Sequence, residues 1–223
     1  MKHLKIIFTF LLISFSITIN AQTKKAVKIG FSVAPGFARL YGNDILQQNS
    51  RLIFGYAVGA SLQLDVNQMF SIHTNLLYEK KGNVFPNLSV AQNGVVYNNV
   101  KIYSNFNYIA LPVMLRAAMG KKRNFFIAAG PYLGYLLSHT LKTVGENINA
   151  TSNESSSYKK VDVGLSFGFG ANLPITKSKA FSVELRNNIG LKNISVPAVV
   201  NNGKIKTNSL NLIFAYNLNA NKK

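Results

Sequence analysis

The sequence contains no cysteine, few charged residues and no long apolar run beyond its first twenty residues. Without cysteine the protein cannot form disulfides, thiolate metal sites, a cysteine nucleophile or a lipoprotein anchor. Charged residues make up 14% of the chain, well below the usual quarter. Hydrophobic residues still make up 48%, so they are spread over many short segments. That distribution lacks the runs of ~20 apolar residues that membrane helices need, and it favours a transmembrane β-barrel.

Acidic residues are especially scarce, because 25 Lys and Arg stand against 7 Asp and Glu, a net charge of +18. A basic balance is typical of nucleic-acid-binding proteins, but these carry a basic stripe or a recognition helix. The sequence has neither, so we expect no nucleic-acid partner. We expect the Lys and Arg side chains to lie in loops and turns that face anionic head groups. The expected partners of a monomer are then outer-membrane lipid, lipopolysaccharide and envelope proteins.

The N-terminus has the three parts of a secretory signal. Lys2 and Lys5 form a basic region, residues 6–19 are apolar, and Ala21 supplies the small residue of a cleavage site. An uncleaved anchor is the alternative, but about fourteen apolar residues are short for a membrane span. The predicted division of the chain is a signal peptide, 1–21, and an outer-membrane β-barrel domain, 22–223.

The rest of the chain alternates between large apolar and small or polar residues, a period typical of β-strands. In Phe54 to Asp65, for example, one face carries Val58 and Leu62 while the other carries Gly59 and Ser61. Such segments predict eight strands, near 27–37, 54–65, 70–79, 107–119, 125–138, 161–173, 180–193 and 209–218.

The connections between these segments alternate in length. The short ones lie near 65–68, 120–124 and 174–179. The long ones, rich in Asn, Ser, Gly and Lys, lie near 38–51, 81–105, 139–159 and 194–207. Short periplasmic turns and long extracellular loops are typical of outer-membrane barrels. We therefore predict an all-β fold, an eight-stranded antiparallel up-and-down transmembrane β-barrel in the cell outer membrane. We also predict a bulge at Pro112, which cannot donate to the ladder.

The two faces of the predicted strands differ in residue size. Large apolar residues lie on one face, and the other is mostly Gly, Ala, Ser and Asn with isolated charges. A soluble ligand-binding barrel also alternates, but its second face would meet water and carry many charges. A lipid-facing apolar band around a narrow polar interior fits better. A soluble secreted lipid-binding barrel remains the alternative.

Several segments resemble the PorT-like outer-membrane β-barrel family of Bacteroidetes. The resembling segments are 76–82, LLYEKKG; 108–116, YIALPVMLR; 129–137, AGPYLGYLL; 184–186, ELR; and 190–194, GLKNI. The junction Asn20-Ala21-Gln22 is also similar to signals of that group. The resemblance spans nearly the whole mature chain, and it implies an outer-membrane barrel. The founding member is linked to protein secretion and gliding, so a link to secretion is one expectation.

Polar side chains on the inward face form a predicted lumen network. Its members are His73, Glu79, Arg116, Asp162, Glu184 and Arg186, with Asn75 and Lys192 also pointing inward. Because an unpaired buried charge is costly, we expect Glu184, Arg186 and Arg116 to pair. The pairing indicates a rigid plug, since about eight strands leave little open lumen; an ion path is the alternative.

No set of residues predicts catalysis. A hydrolase needs a nucleophile, a base and an orienting acid within reach. His73 and Glu79 are separated along one strand by about 20 Å, too far for a hydrogen bond. We therefore expect no catalytic residue, metal ligand or cofactor. The predicted function is a structural or interaction role in the outer membrane, with a lipid-modifying enzyme or a narrow channel as the alternative.

Overall fold

The computed structural model describes residues 27–92, 95–121, 123–176 and 178–220. The predicted signal peptide, 1–21, lies outside these residues. The strands are β1 Val27–Tyr41, β2 Ile53–Asp65, β3 Phe70–Gln92, β4 Val95–Met119, β5 Phe125–Gly145, β6 Ile148–Asn153, β7 Val161–Pro174, β8 Lys179–Gly190 and β9 Lys206–Asn219. A short helix, α1, spans Asp44–Asn49, and single 3₁₀ turns lie at Ser155–Ser157 and Val200–Asn202. None of the helices in the described part of the chain is long and apolar enough to cross a membrane.

Eight of the strands close into a ring. Each pairs in antiparallel fashion with its neighbours in the order β1-β2-β3-β4-β5-β7-β8-β9, and β9 pairs back with β1. β6 is not part of the ring, because it pairs only with the end of β5. The predicted eight-stranded antiparallel barrel is therefore confirmed. Closing the ring leaves its strands without an open edge.

The side chains alternate between the outside and the inside of this ring. Val58, Leu165 and Leu212 point outward and are 38%, 39% and 39% exposed. Residues that point inward are closed to solvent; Ala57, for example, is 0% exposed and Glu184 is 1% exposed. The large apolar residues thus cover the outer wall, and small and polar residues fill the interior, as the alternation predicts.

Aromatic pairs mark both limits of the outer apolar surface, which we call the apolar band. Toward the long loops, Phe37 and Phe54 form an edge-to-face pair with ring centroids 6.2 Å apart. Toward the short turns, Phe181 and Phe214 stack at the same distance. Arg39, two residues beyond Phe37 on β1, is exposed. Girdles of aromatic residues at both interfaces are typical of an outer-membrane barrel.

Three strands continue well beyond the apolar band at the long-loop end, where we predicted loops. The segment 81–105 is mostly the far part of β3 and β4, and 139–159 contains the end of β5 and all of β6. Together these strands form a protruding sheet. The prediction failed because outside the band the outer face no longer meets hydrocarbon, so large apolar residues no longer mark one face of the strand.

Two local predictions also need correction. β4 keeps its register at Pro112, which lies opposite Tyr132, and the register shift lies instead between Asn107 and Tyr108. The Thr74 hydroxyl donates to the Pro112 carbonyl at 2.9 Å. Lys192 does not point inward, because β8 ends at Gly190 and Lys192 is exposed.

Candidate functional site

The barrel interior near the short turns contains two guanidinium groups around one carboxylate. We call these residues, Arg116, Glu184 and Arg186, the arginine cluster. Arg186 donates through Nε and Nη2 to the two carboxylate oxygens of Glu184 at 2.6 and 2.9 Å, and Arg116 donates to Oε2. Arg186 Nη1 donates to Asn75 at 3.0 Å and Arg116 Nη1 donates to Gln63 at 3.2 Å, whereas Arg116 Nε has no hydrogen-bond partner. The cluster is buried and carries one excess positive charge.

A second buried cluster lies nearer the long loops and has the opposite composition. In this lysine cluster the Lys81 ammonium lies 3.0 Å from Asp162 Oδ2 and 3.8 Å from Glu79 Oε2. Thr207 and Tyr132 donate to Asp162 at 2.6 and 3.1 Å. Glu79 Oε1 accepts from Ser209 at 2.7 Å and Asn211 at 3.3 Å. Two carboxylates around one ammonium leave one excess negative charge, so the two clusters together are neutral.

Aromatic rings line both clusters. The Lys81 ammonium lies 4.5 Å from the ring centre of Tyr108, and the Arg116 guanidinium lies 4.2 Å from that of Phe126. Such cation–π contacts add stabilisation in a desolvated site. Gly164 makes room for the Tyr132 ring, since a Cβ at that position would lie 2.4 Å from it. The largest fully buried side chains of the described chain thus include the charged residues and their aromatic neighbours.

An apolar cover closes the long-loop end above the lysine cluster. It consists of Leu40, Leu46, Phe106, Leu136 and Ile194, packed with Tyr108. Leu46 comes from α1, whose first turn is capped by the Asn43 side chain through the Leu46 amide at 2.9 Å. Ile194 comes from the segment after β8, and it is fully buried. The cover therefore joins two separate connections to the ends of three strands over the barrel mouth, so the connections help to close the interior.

Beside the cover, the Ser104 hydroxyl and the His139 imidazole share a hydrogen bond. Ser104 Oγ lies 2.8 Å from His139 Nε2. The imidazole packs between Phe106 and Tyr158, with ring centroids 4.1 and 4.4 Å away. Burial lowers the pKa of His139 to about 4, and the Glu154 carboxylate opposes this shift. His139 Nδ1 has no hydrogen-bond partner, so no acid orients the ring as a catalytic base requires.

The six predicted network residues all lie buried in the interior, but in two groups. Arg116, Glu184 and Arg186 contact one another. Glu79 and Asp162 belong to the lysine cluster, and His73 lies near the arginine cluster with Nδ1 unpaired. Within the described ranges, no group of three or more His, Asp or Glu side chains could hold a metal ion.

Sequence analysis missed Lys81, Tyr132 and Thr207. Lys81 was assigned to a loop, yet it shares the parity of Glu79 and is 1% exposed on β3. Extending the two-residue period past the apolar residues would have found it. Thr207 also lies in a predicted loop, and Tyr132 lies in the predicted strand 125–138 but was given no role. Their contacts with Asp162 join three strands, and nothing in a single strand indicates them.

The sequence also matches a known family. The profile described as "Outer membrane protein beta-barrel domain" matches residues 20–196. The chain belongs to this outer-membrane β-barrel family. Its place is therefore the cell outer membrane, with the apolar band in hydrocarbon and the long-loop end outside the cell. This location excludes the soluble secreted lipid-binding barrel.

No curated protein matches the chain, but several solved outer-membrane barrels are similar in shape. Ail, the attachment invasion locus protein of Yersinia pestis, in complex with the heparin analogue sucrose octasulfate, is 8% identical at a TM-score of 0.44, over 86% of this chain and 99% of Ail. Neisserial surface protein A is 10% identical at 0.43, over 86% and 96%. OprG from Pseudomonas aeruginosa is 12% identical at 0.37, over 88% and 96%. The family assignment rests on the matched profile.

Proposed function

We propose that this protein is a closed, non-conducting outer-membrane barrel that acts as an interaction protein through its extracellular side. The observation that carries the proposal is the filled interior: two charge clusters occupy the lumen, and the apolar cover packs above them. A pore needs a polar passage from mouth to mouth. Side chains that are hydrogen-bonded across the lumen leave the exterior as the surface available to partners.

The extracellular extension supports an interaction role. β3, β4 and β5 continue past the apolar band, and β6 adds a fourth strand to the protruding sheet. Ordered strands present side chains in fixed positions, which lowers the entropic cost of binding. The proposed partners are outer-membrane lipid, lipopolysaccharide and envelope proteins.

The test combines location with conductance. The mature protein should fractionate with the outer membrane and shift between unheated and boiled samples on a gel. Reconstituted in planar bilayers, it should pass no current across applied voltages, because the lumen is filled. A steady single-channel conductance, abolished by a bulky substitution at inward Gly168, would contradict the closed barrel and favour the narrow channel.

A narrower proposal is membership of the PorT-like group and a link to protein secretion. It is supported by segments such as 108–116 and 129–137, which lie in the barrel wall. Deleting the gene should then lower the amount of secreted protein in culture medium, with restoration by the wild-type gene. Unchanged secretion in the deletion strain would remove this role and leave the interaction role in place.

The proposal includes export by a signal peptide, 1–21, and no catalysis. Intact-mass measurement of the purified protein should give a chain that begins at Gln22. A lipid hydrolysis assay should give no turnover, because Ser104 and His139 are buried and His139 Nδ1 has no acid partner. Turnover lost in His139→Ala or in His73→Ala would establish the lipid-modifying enzyme instead.

A further inference from the structure

A groove on the outer wall lies just beyond the apolar band at the long-loop end. It encloses about 740 Å³ between the end of β1, α1 and the start of β2. Its lining combines cationic, polar and apolar side chains: Arg39, Leu40, Tyr41, Leu46, Gln47, Ser50, Arg51 and Leu52. We call it the arginine groove. It is distinct from both interior clusters, because its arginines are exposed.

Neither guanidinium of the groove is neutralised by the protein. The ion pairs of the described residues join Lys28 to Asp65 and the members of the two interior clusters, and none includes Arg39 or Arg51. The Arg51 guanidinium donates to the neighbouring Ser50 carbonyl at 3.5 Å and to no other described residue. A third cation lies close by, since the Lys206 ammonium is 5.7 Å from the Tyr41 ring centre. The groove therefore concentrates positive charge that an anion could satisfy.

The walls of the groove are held by backbone hydrogen bonds. The Arg51 amide donates to the Val84 carbonyl at 2.8 Å, and the Val84 amide donates back at 3.1 Å. The loop before α1 also contacts the segment that precedes β9, because the Asn43 side chain donates to the Lys204 carbonyl at 3.1 Å. A site whose backbone is already ordered binds its ligand at a lower entropic cost.

The position of the groove selects the kind of anion. Its lower rim is apolar and exposed, with Leu52 57%, Phe54 62% and Phe37 55% accessible. These side chains belong to the edge of the apolar band, next to the hydrocarbon of the outer leaflet. A ligand that fills the groove and contacts the rim must therefore carry an anionic head and acyl chains. Arginine matches phosphate oxygens with paired, charge-assisted hydrogen bonds.

We propose that the arginine groove binds the phosphorylated head group of a lipid A molecule in the outer leaflet. Arg39 and Arg51 contact the phosphate, Gln47 and Ser50 contact the sugar, and the Leu52 and Phe54 side chains contact the acyl chains. The inference rests on the proposed function, because it names one partner of the extracellular side. It differs from general attraction to anionic lipid in assigning the affinity to one groove.

The experiment measures lipid A binding to the folded mature protein in detergent by native mass spectrometry. Bisphosphorylated lipid A should bind the wild type at least about tenfold more tightly than its dephosphorylated form, because charge-assisted hydrogen bonds are lost with the phosphate. Arg39→Gln combined with Arg51→Gln should weaken the binding of the phosphorylated lipid to a similar degree. Arg39→Lys should weaken this binding less, since lysine keeps the charge and loses the paired geometry.

The matched control removes two other exposed extracellular cations, Lys101→Gln with Lys142→Gln on the protruding sheet. This variant should bind lipid A as the wild type does, and equal weakening in both double variants would overturn the assigned groove. Displacement of lipid A by millimolar inorganic phosphate would overturn the lipid assignment, because a free anion would then suffice. A heat-shift gel confirms that each variant is folded. If a double variant is not folded, the single Arg51→Gln variant replaces the arginine double variant and the single Lys101→Gln variant replaces the control.

The result is separable from the test of the proposed function. A barrel that is closed and located in the outer membrane, yet binds lipid A equally with and without the two arginines, would reject the groove alone. A conducting barrel that retains arginine-dependent lipid A binding would reject the closed barrel and leave the groove intact.

Discussion

The arginine cluster and the lysine cluster balance the same interior with opposite excess charges. In the arginine cluster, one carboxylate forms ion pairs with two guanidinium groups. In the lysine cluster, one ammonium forms ion pairs with two carboxylates. The difference lies in what happens when the central residue is lost. A carboxylate can become neutral by taking up a proton, whereas a guanidinium keeps its charge. The two ends of the lumen should therefore respond unequally to equivalent changes.

The largest effect should come from removing the carboxylate of the arginine cluster. Glu184→Gln leaves Arg116 and Arg186 buried without a counter-charge, and we expect the free energy of unfolding to fall by about 3–5 kcal/mol. Urea titration of the protein folded in lipid vesicles, followed by circular dichroism, measures the loss. Glu146→Gln, the same change at an exposed turn, serves as the control. Equal losses in both variants would show that the buried cluster adds no stability.

Removing the central cation of the lysine cluster should cost less. Lys81→Met leaves Glu79 and Asp162 without their partner, and we expect a loss of about 2 kcal/mol at neutral pH. The loss should be smaller than that of Glu184→Gln, because neutral donors of the cluster still hydrogen-bond to both carboxylates. The same urea titration tests this, with exposed Lys101→Met as the control. A loss as large as that of Glu184→Gln would refute the contrast.

A small loss of packing in the apolar cover should have a weaker effect than either charge change. Ile194→Val deletes one fully buried methyl group, and we expect a loss of about 0.5–1.5 kcal/mol. Protection of the 191–205 segment against protease reports the cover directly. The control, Val196→Ala, shortens a residue that is 59% exposed and should leave protection unchanged. Faster cleavage in the control alone would mean that Ile194 does not anchor the segment.

The most local effect should be a loss of order around His139 on acidification. Its pKa is near 4 in the folded protein, against an ordinary value of about 6.5, so the folded state favours the neutral ring. Stability of this region should therefore decline as pH falls from about 6.5 to about 4, where only the opened state gains a proton. Amide exchange in residues 138–158, corrected for intrinsic rates, measures it. His139→Gln should flatten the dependence; an unchanged slope would assign it to another group.

The membrane-crossing part of the fold was predictable, because inside the apolar band each strand has one face in hydrocarbon and one in the lumen. That constraint forces a two-residue period, so the predicted limits of β2 and β7 differ from the observed ones by one residue at most. Outside the band the constraint ends, and β3 extends thirteen residues past its predicted end at Glu79. Those residues are held by ladder pairing with β4, which has no signature in one strand alone.

The interior clusters were predictable only in part. Parity identified Glu79, Arg116, Asp162, Glu184 and Arg186 as inward-pointing, and Glu184 and Arg186 lie two residues apart, so their pairing follows from one strand. The partners of Asp162 did not follow, since Lys81 and Thr207 lie on strands that are distant in sequence. The arginine groove likewise joins Arg39 at the end of β1 to Arg51 beyond α1, and the connection between them carries no periodic pattern.

The amino-acid order by itself determined which residues face lipid and which face inward, because burying or exposing the wrong side of a strand in a membrane is costly at every position. It thereby determined a barrel of eight spanning strands. Only the closed ring decided which inward charges meet, how far the strands rise above the membrane, and that the connections fold back as an apolar cover. Those outcomes depend on register and on contacts between distant segments, and the energy of such contacts exists only once the ring has formed.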